Sequence, residues 1–319
     1  MSNTGNAATV KLLEDLDRLT NAALAPSTRS TYRRAWVHFN NFSTEILGHC
    51  LSPPITVSVM SLFIAYLFQK SLAPKTISTY LSAIGYVHKI LAYNDPTQSF
   101  LVQKLVEGSY RLSPSIDARL PITVHILDKL IGCIPLIITS TYEQKLFTAV
   151  FLFAFSAFAR VGELVWTNNA VSDHILCLSD LSFSCVNGKI QKVLVCFRKY
   201  KHSNGKQSKI VSFSHGKTSV TAITALVQFI DKRKTNAGPL FCYSNGTCLT
   251  RTHFDNILRR CLKMIGLDSS KYKGHSFRIG AATAAAENGL SDAQIRSLGR
   301  WNSNAFQKYI RSNYAVCSS

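Results

Sequence analysis

His275 and Arg278 stand three residues apart at the head of the stretch GHSFRIGAATAAAENGL, Gly274 to Leu290. An imidazole can move a proton near neutral pH, and a guanidinium can grip a phosphate with a planar pair of N–H groups. Residues three apart on a helix share a face, so both side chains can reach one ligand. Upstream, FARVGELVW sets Arg160 at the end of a very apolar run, with Glu163 three residues on. An arginine there needs a partner. It is either a phosphate ligand oriented by Glu163 or half of an ion pair that serves packing. Lys199, Lys201 and Lys206 flank a Ser-Asn-Gly-Lys turn, which is a loop held over a ligand or a solvated charged turn. Trp301, in LGRWNSNAF, carries one N–H that an anion could accept, and Tyr309, in QKYIR, carries a phenol; both residue types also fill cores. Each feature alone is weak. Their ordered combination is specific.

These side chains need a scaffold, and the sequence supplies two regions. The repeated phrases LAPSTRSTY (from Leu24) and LAPKTISTY (from Leu72) each open a helix, with Pro26 or Pro74 in the first turn and Ser27, Thr28 or Thr76 as caps. With VSVMSLFIAYLFQKSL and QSFLVQKLVEGSYRL they predict a helical domain over residues 20–116, after a flexible N-terminus at 1–19. The polar SPSIDARLPIT is a linker. Residues 117–319 then predict helix VHILDKLIGCI and a long buried helix ending at Arg160. A β-hairpin follows in KIQKVLVCFRKYKHSNGKQSKIVSF, then helices including SFRIGAATAAAENG, SDAQIRSLGR and AFQKYIR. The fold class is mainly α with a small β-hairpin or sheet, in two domains.

Composition points to a polyanion. Among 319 residues, 36 are Lys or Arg and 17 are Asp or Glu, a net charge of +19. Residues 1–118 hold 10 basic and 7 acidic side chains, leaving 26 and 10 for residues 119–319, so the excess is +3 against +16. A folded protein this basic is usually held near nucleic acid. Candidate phosphate contacts are Arg29, Arg33, Arg34 and Lys75 at the two repeated helices, and Lys199, Lys232, Arg233, Lys234, Arg259, Arg260, Lys271 and Lys273 further on. Nine scattered cysteines without a CxxC pair read as reduced intracellular thiols, no cysteine–histidine cluster has zinc spacing, and no P-loop occurs. The expectation is therefore no metal and no cofactor. LFTAVFLFAFSAFA, the longest apolar run, is too short to span a bilayer, so no membrane partner is expected.

In order, Arg160 with Glu163, the hairpin lysines, His275-x-x-Arg278, Gly299-Arg300-Trp301 and Tyr309 resemble the tyrosine recombinase (phage integrase) family. The C-terminal run from Gly274 is similar to recombinases of eukaryotic DIRS/Ngaro-type mobile elements. The resemblance spans residues 20–319 and implies a helical core-binding domain beside a catalytic domain. It implies that Tyr309 attacks a DNA phosphate to leave a 3′-phosphotyrosyl link. Arg160, Arg278, His275 and Trp301 would hold the phosphate, and Glu163 would orient Arg160 or His275. Lys201 would protonate the leaving 5′-oxygen, with Lys199 in competition for that role. Tyr314, in RSNYAVCSS, is a second candidate nucleophile. The resemblance also implies double-stranded DNA as partner, a homo-tetramer on it, and action in the nucleus. A domesticated DNA-binding protein without catalysis and a type IB topoisomerase are the alternative readings.

Overall fold

The computed structural model describes residues 3–114, 118–167, 174–198, 208–214 and 221–311. The chain divides into two compact units, Met1–Asp117 and Ala118–Ser319.

The first unit is helical. Asn3–Ala22, read from sequence as a flexible N-terminus, is helix α1. α2 (Pro26–Leu47), α3 (Val57–Gln69), α4 (Pro74–Ile90) and α5 (Phe100–Leu112) follow. Their inner faces close on an aromatic core of Phe39, Phe42, Phe63, Tyr66 and Tyr80. The repeated phrases do begin α2 and α4, but the capping is not the expected kind. The N-cap residues are Ala25 and Ala73, and neither helix start has a side-chain cap. Proline at the first helical position fixes the preceding residue in an extended conformation and removes one of the N–H groups that would have no partner in the helix.

The second unit is built around α7 (Thr141–Ser156), whose buried phenylalanines touch neighbours on several sides. α6 (Val124–Ile137) precedes it. α7 does not run to Arg160. It stops at Ser156, Phe158 turns left-handed at φ 49°, and Arg160 becomes the N-cap of the one-turn helix α8 (Val161–Leu164). Three antiparallel strands follow in the order β1 (Leu181–Val186), β2 (Lys189–Phe197), β3 (Lys209–Ser214). The expected hairpin is β2–β3. β1 was missed, although its signal is plain: Asn187-Gly188 joins β1 to β2 with φ of 50° and 73°, and Val186 pairs with Lys189. That is the left-handed pair favoured in two-residue hairpins. Val193, Val195, Phe197, Val211 and Phe213 point into the core on alternate positions.

α9 (Ala222–Ile230), α10 (Arg251–Met264), α11 (His275–Glu287) and α12 (Asp292–Gly299) complete the unit. α9, α10 and α12 each begin at a Ser or Thr whose hydroxyl accepts an N–H three residues on. AFQKYIR lies in a 3₁₀ turn, Asn304–Tyr309, rather than an α-helix. α11 carries the candidate chemistry and is wedged deep in the unit. Phe277 packs on Phe151 and Phe254 with ring centroids 5.2 and 5.9 Å apart. Gly280 faces the Ile122 backbone so closely that a Cβ there would lie 1.8 Å from the carbonyl oxygen. The Ile122 N–H donates to the Ser276 carbonyl at 3.0 Å, which ties the two segments together.

Candidate active site

Arg278 is fully buried. Its two terminal nitrogens donate to the carbonyls of Phe158 and Gly299, and its guanidinium lies 4.1 Å from the centre of the Trp301 ring. Nε has no partner among the described residues. Burial, and next the neighbouring charges of Arg160 and Arg300, pull its pKa down to about 9. It therefore remains cationic at neutral pH. Both carbonyls that hold it sit at unusual backbone: Phe158 is left-handed, and Gly299 precedes left-handed Arg300 at φ 56°. Each non-glycine residue in that region costs roughly 1–2 kcal/mol. Gly299 is required sterically, since a Cβ there would lie 1.6 Å from the Trp301 ring.

Glu163, 4% exposed, is held from two sides. Arg160 Nη1 donates to Oε1 at 3.1 Å, and Arg300 Nη2 donates to Oε2 at 2.6 Å. The Arg160 backbone N–H also donates to Oε2, at 2.8 Å. So Glu163 orients Arg160, as one sequence reading had it, through a cluster that includes Arg300. Three guanidiniums, Arg160, Arg278 and Arg300, face one carboxylate, leaving two net positive charges. Of the three, Arg160 is the one within reach of solvent, with 22% of its side chain exposed.

Tyr309 ends the 3₁₀ turn beside this cluster. Its ring lies 4.9 Å from the His275 imidazole and 5.3 Å from Trp301, centre to centre. Trp301 also packs edge-on to Phe158 and against Phe306. The Thr283 hydroxyl, one α11 turn beyond Arg278, donates to the Tyr309 carbonyl at 3.2 Å and accepts from the Arg311 N–H at 3.1 Å. A phenol, an imidazole and a buried cationic cluster therefore share one neighbourhood. That set can bind a phosphate and present it with an oxygen nucleophile.

Residues 177–315 match the model of the phage integrase family. Solved recombinase structures share the fold. The Tn1549 transposon integrase in complex with transposon right end DNA is 15% identical, with 92% of this chain and 91% of that one covered and a TM-score of 0.63. XerH site-specific recombinase bound to palindromic difH substrate is 15% identical, covers 88% and 75%, and has a TM-score of 0.60. A lambda integrase dimer bound to a COC′ core site is 12% identical, covers 96% and 78%, and has a TM-score of 0.63. No curated protein sequence matches significantly.

Residues 177–315 therefore carry a phage integrase family match, within a fold shared with solved tyrosine recombinases. That match supports a DNA breaking-and-rejoining enzyme. The family match begins at residue 177, after Arg160 and Glu163; the folded geometry is what joins those two to His275, Arg278, Trp301 and Tyr309. Lys199, Lys201, Lys206 and Tyr314 lie outside the described residues.

The predicted phosphate contacts divide. Arg29, Arg33 and Arg34 on α2 are exposed, as are Lys75 in the first turn of α4 and Lys232, Lys234, Arg259, Lys271 and Lys273 in the second unit. Arg233 is a correction. It is 8% exposed, and its guanidinium donates to the carbonyls of Thr235, Ala237, Pro239 and Leu240. It folds the loop after α9 and has no free face for DNA. Arg260 is exposed but spends one nitrogen on the Ile137 carbonyl at 2.7 Å, tying α10 to the end of α6. Sequence reasoning missed Arg300 and Thr283. Arg300 stood in the Gly299-Arg300-Trp301 motif but looked like one more basic residue in a polar stretch; Thr283 looked like any small residue in an alanine-rich helix.

Proposed function

We propose that this recombinase cuts and rejoins double-stranded DNA through a 3′-phosphotyrosyl intermediate on Tyr309, in the site-specific recombination of a mobile element. The supporting observation is the buried cluster with two net positive charges beside the Tyr309 phenol. A phosphodiester under attack gathers negative charge on its non-bridging oxygens, and preorganised cations at a dry site stabilise that charge strongly. Arg160 offers exposed N–H groups. Arg278 adds charge from the floor, where two N–H groups are held by carbonyls and the rest of its five remain.

In the proposed reaction the Tyr309 oxygen gives up its proton, with His275 assisting, and bonds to phosphorus. The bond from phosphorus to the 5′-oxygen breaks, and the leaving oxygen takes a proton from Lys201 or Lys199. A 5′-hydroxyl then reverses the sequence on a new strand, so the energy of the phosphodiester is kept in the protein link. Trp301 holds Arg278 and Tyr309 against each other and offers its N–H to the phosphate.

The mobile-element reading rests on the similarity of the run from Gly274 to DIRS/Ngaro recombinases, and a nuclear site of action follows from the same similarity. Among similar structures, the Tn1549 integrase, XerH and lambda integrase are recombinases bound to DNA. A homo-tetramer on DNA is the proposed assembly. No helix among the described residues is long and apolar enough to cross a membrane.

Covalent trapping tests the proposal. Wild type, Tyr309→Phe and Tyr314→Phe are incubated with nicked suicide duplexes from the element's ends and resolved on denaturing gels. An adduct lost only in Tyr309→Phe supports the assignment. Loss only in Tyr314→Phe moves the nucleophile, and tight binding without any adduct would sink the catalytic reading.

A further inference from the structure

We infer that Arg300 is a positioning residue that sets the charge of the phosphate site by neutralising Glu163. The inference rests on the catalytic reading above and deepens it. Arg300 occupies a backbone conformation that favours glycine, with φ 56° and ψ 45°, at the end of α12. A glycine would relieve the strain and close the helix equally well, so the side chain must matter to the site. That side chain is fully buried, stacks 3.4 Å from the centre of the Phe197 ring, and places Nη2 2.6 Å from Glu163 Oε2, with Nη1 3.3 Å from the Ala157 carbonyl.

The arrangement divides labour on one carboxylate. Glu163 has to be present because it orders the Arg160 turn, accepting both the Arg160 backbone N–H and one guanidinium N–H. Alone, it would cancel the charge of the arginine it orients. Arg300 occupies its second oxygen and returns the balance to two positive charges. The Arg160 guanidinium is then oriented without being electrically spent. Phe197, at the end of β2, covers one face of the guanidinium and Arg300 is buried, so its charge acts through Glu163 and through the field in the site.

The experiment uses the full chain. Two readouts are taken: the single-turnover rate of adduct formation on a suicide duplex at saturating protein, and the rise in Tm produced by added sulfate, a phosphate mimic that needs no catalysis. Arg300→Gln keeps a donor for Glu163 and removes the charge. It should slow adduct formation about tenfold, less than the hundredfold typical of a direct phosphate donor, and weaken sulfate stabilisation. Arg300→Lys keeps the charge and should stay near wild type in sulfate response. The decisive variant is Arg300→Gln with Glu163→Gln, which again leaves two net positive charges and should recover the sulfate response. A purely structural Arg300 predicts the reverse, a deeper loss in the double variant. Unchanged behaviour of Arg300→Gln in both readouts, or no recovery in the double variant, overturns the inference. Should Arg300→Gln fail to fold, the double variant compared with wild type decides on sulfate alone. If wild type forms no adduct while the sulfate pattern holds, the catalytic reading fails and the charge balance stands.

Discussion

Gly299 leaves no space for a methyl group, because the Trp301 ring covers its Cα and Arg278 holds its carbonyl. Gly299→Ala should therefore push the indole off the guanidinium and cut adduct formation on the order of a hundredfold, measured against DNA affinity by gel shift. Thr283 makes a second prediction at this scale. Thr283→Val keeps shape but removes the hydroxyl that bridges Tyr309 and Arg311. The cleavage rate at saturating DNA should fall on the order of tenfold, with Thr283→Ser restoring it. Titration adds a third. Arg278 is a base with a lowered pKa, so it loses its charge as pH rises through about 9, earlier than an ordinary arginine. Sulfate stabilisation should decline across that pH. For folding the sign is opposite: below pH 9 the native state holds a buried charge at a cost, and this group's cost is relieved as pH rises above it. A sulfate response that stays flat from pH 8 to 10 would refute the lowered value.

Among the elements, α11 and the loop after α9 show what a sequence can and cannot display. Gly280→Ala on α11 should destabilise the second unit by about 3 kcal/mol, the upper range for overpacking, because the added carbon meets Ile122 backbone and not a movable side chain. Denaturant unfolding would measure it. Arg233→Ala should cost about 3 kcal/mol in the same assay, since several buried carbonyls lose their donor. DNA affinity of the folded variant should be unchanged. The basic run Lys232-Arg233-Lys234 looked uniform in sequence, yet burial separates its middle member from its neighbours. Periodicity revealed the helices, and the residue types revealed most of the site, because apolar runs and a few reactive groups are written locally. The left-handed turns at Phe158 and Arg300, the end of α7 before Arg160, and the Thr283 bridge depend on segments more than a hundred or some tens of residues apart, and no local pattern encodes them.

Across the whole molecule, charge is distributed more simply than chemistry. The excess of +16 in residues 119–319 against +3 in residues 1–118 assigns most long-range attraction for a polyanion to the second unit. If ~6 phosphates are neutralised, log affinity should fall against log salt with a slope near −5. Replacing Lys232 and Lys234 by Ala should flatten that slope by about 2 for all DNA sequences alike. An unchanged slope would remove both from the interface.

One segment, α11, carries His275 and Arg278 of the proposed site, Gly280 against the Ile122 backbone, and Thr283, which holds the Tyr309 carbonyl. The imidazole, the buried guanidinium and the hydroxyl that holds the Tyr309 backbone thus share a single mechanical mount. A slip of that rod against Ile122 displaces His275, Arg278 and the Thr283 tether of Tyr309 together, so damage there should give dead protein far more often than slow protein. Graded tuning of the proposed reaction must instead come from residues that touch the reacting groups from outside the rod.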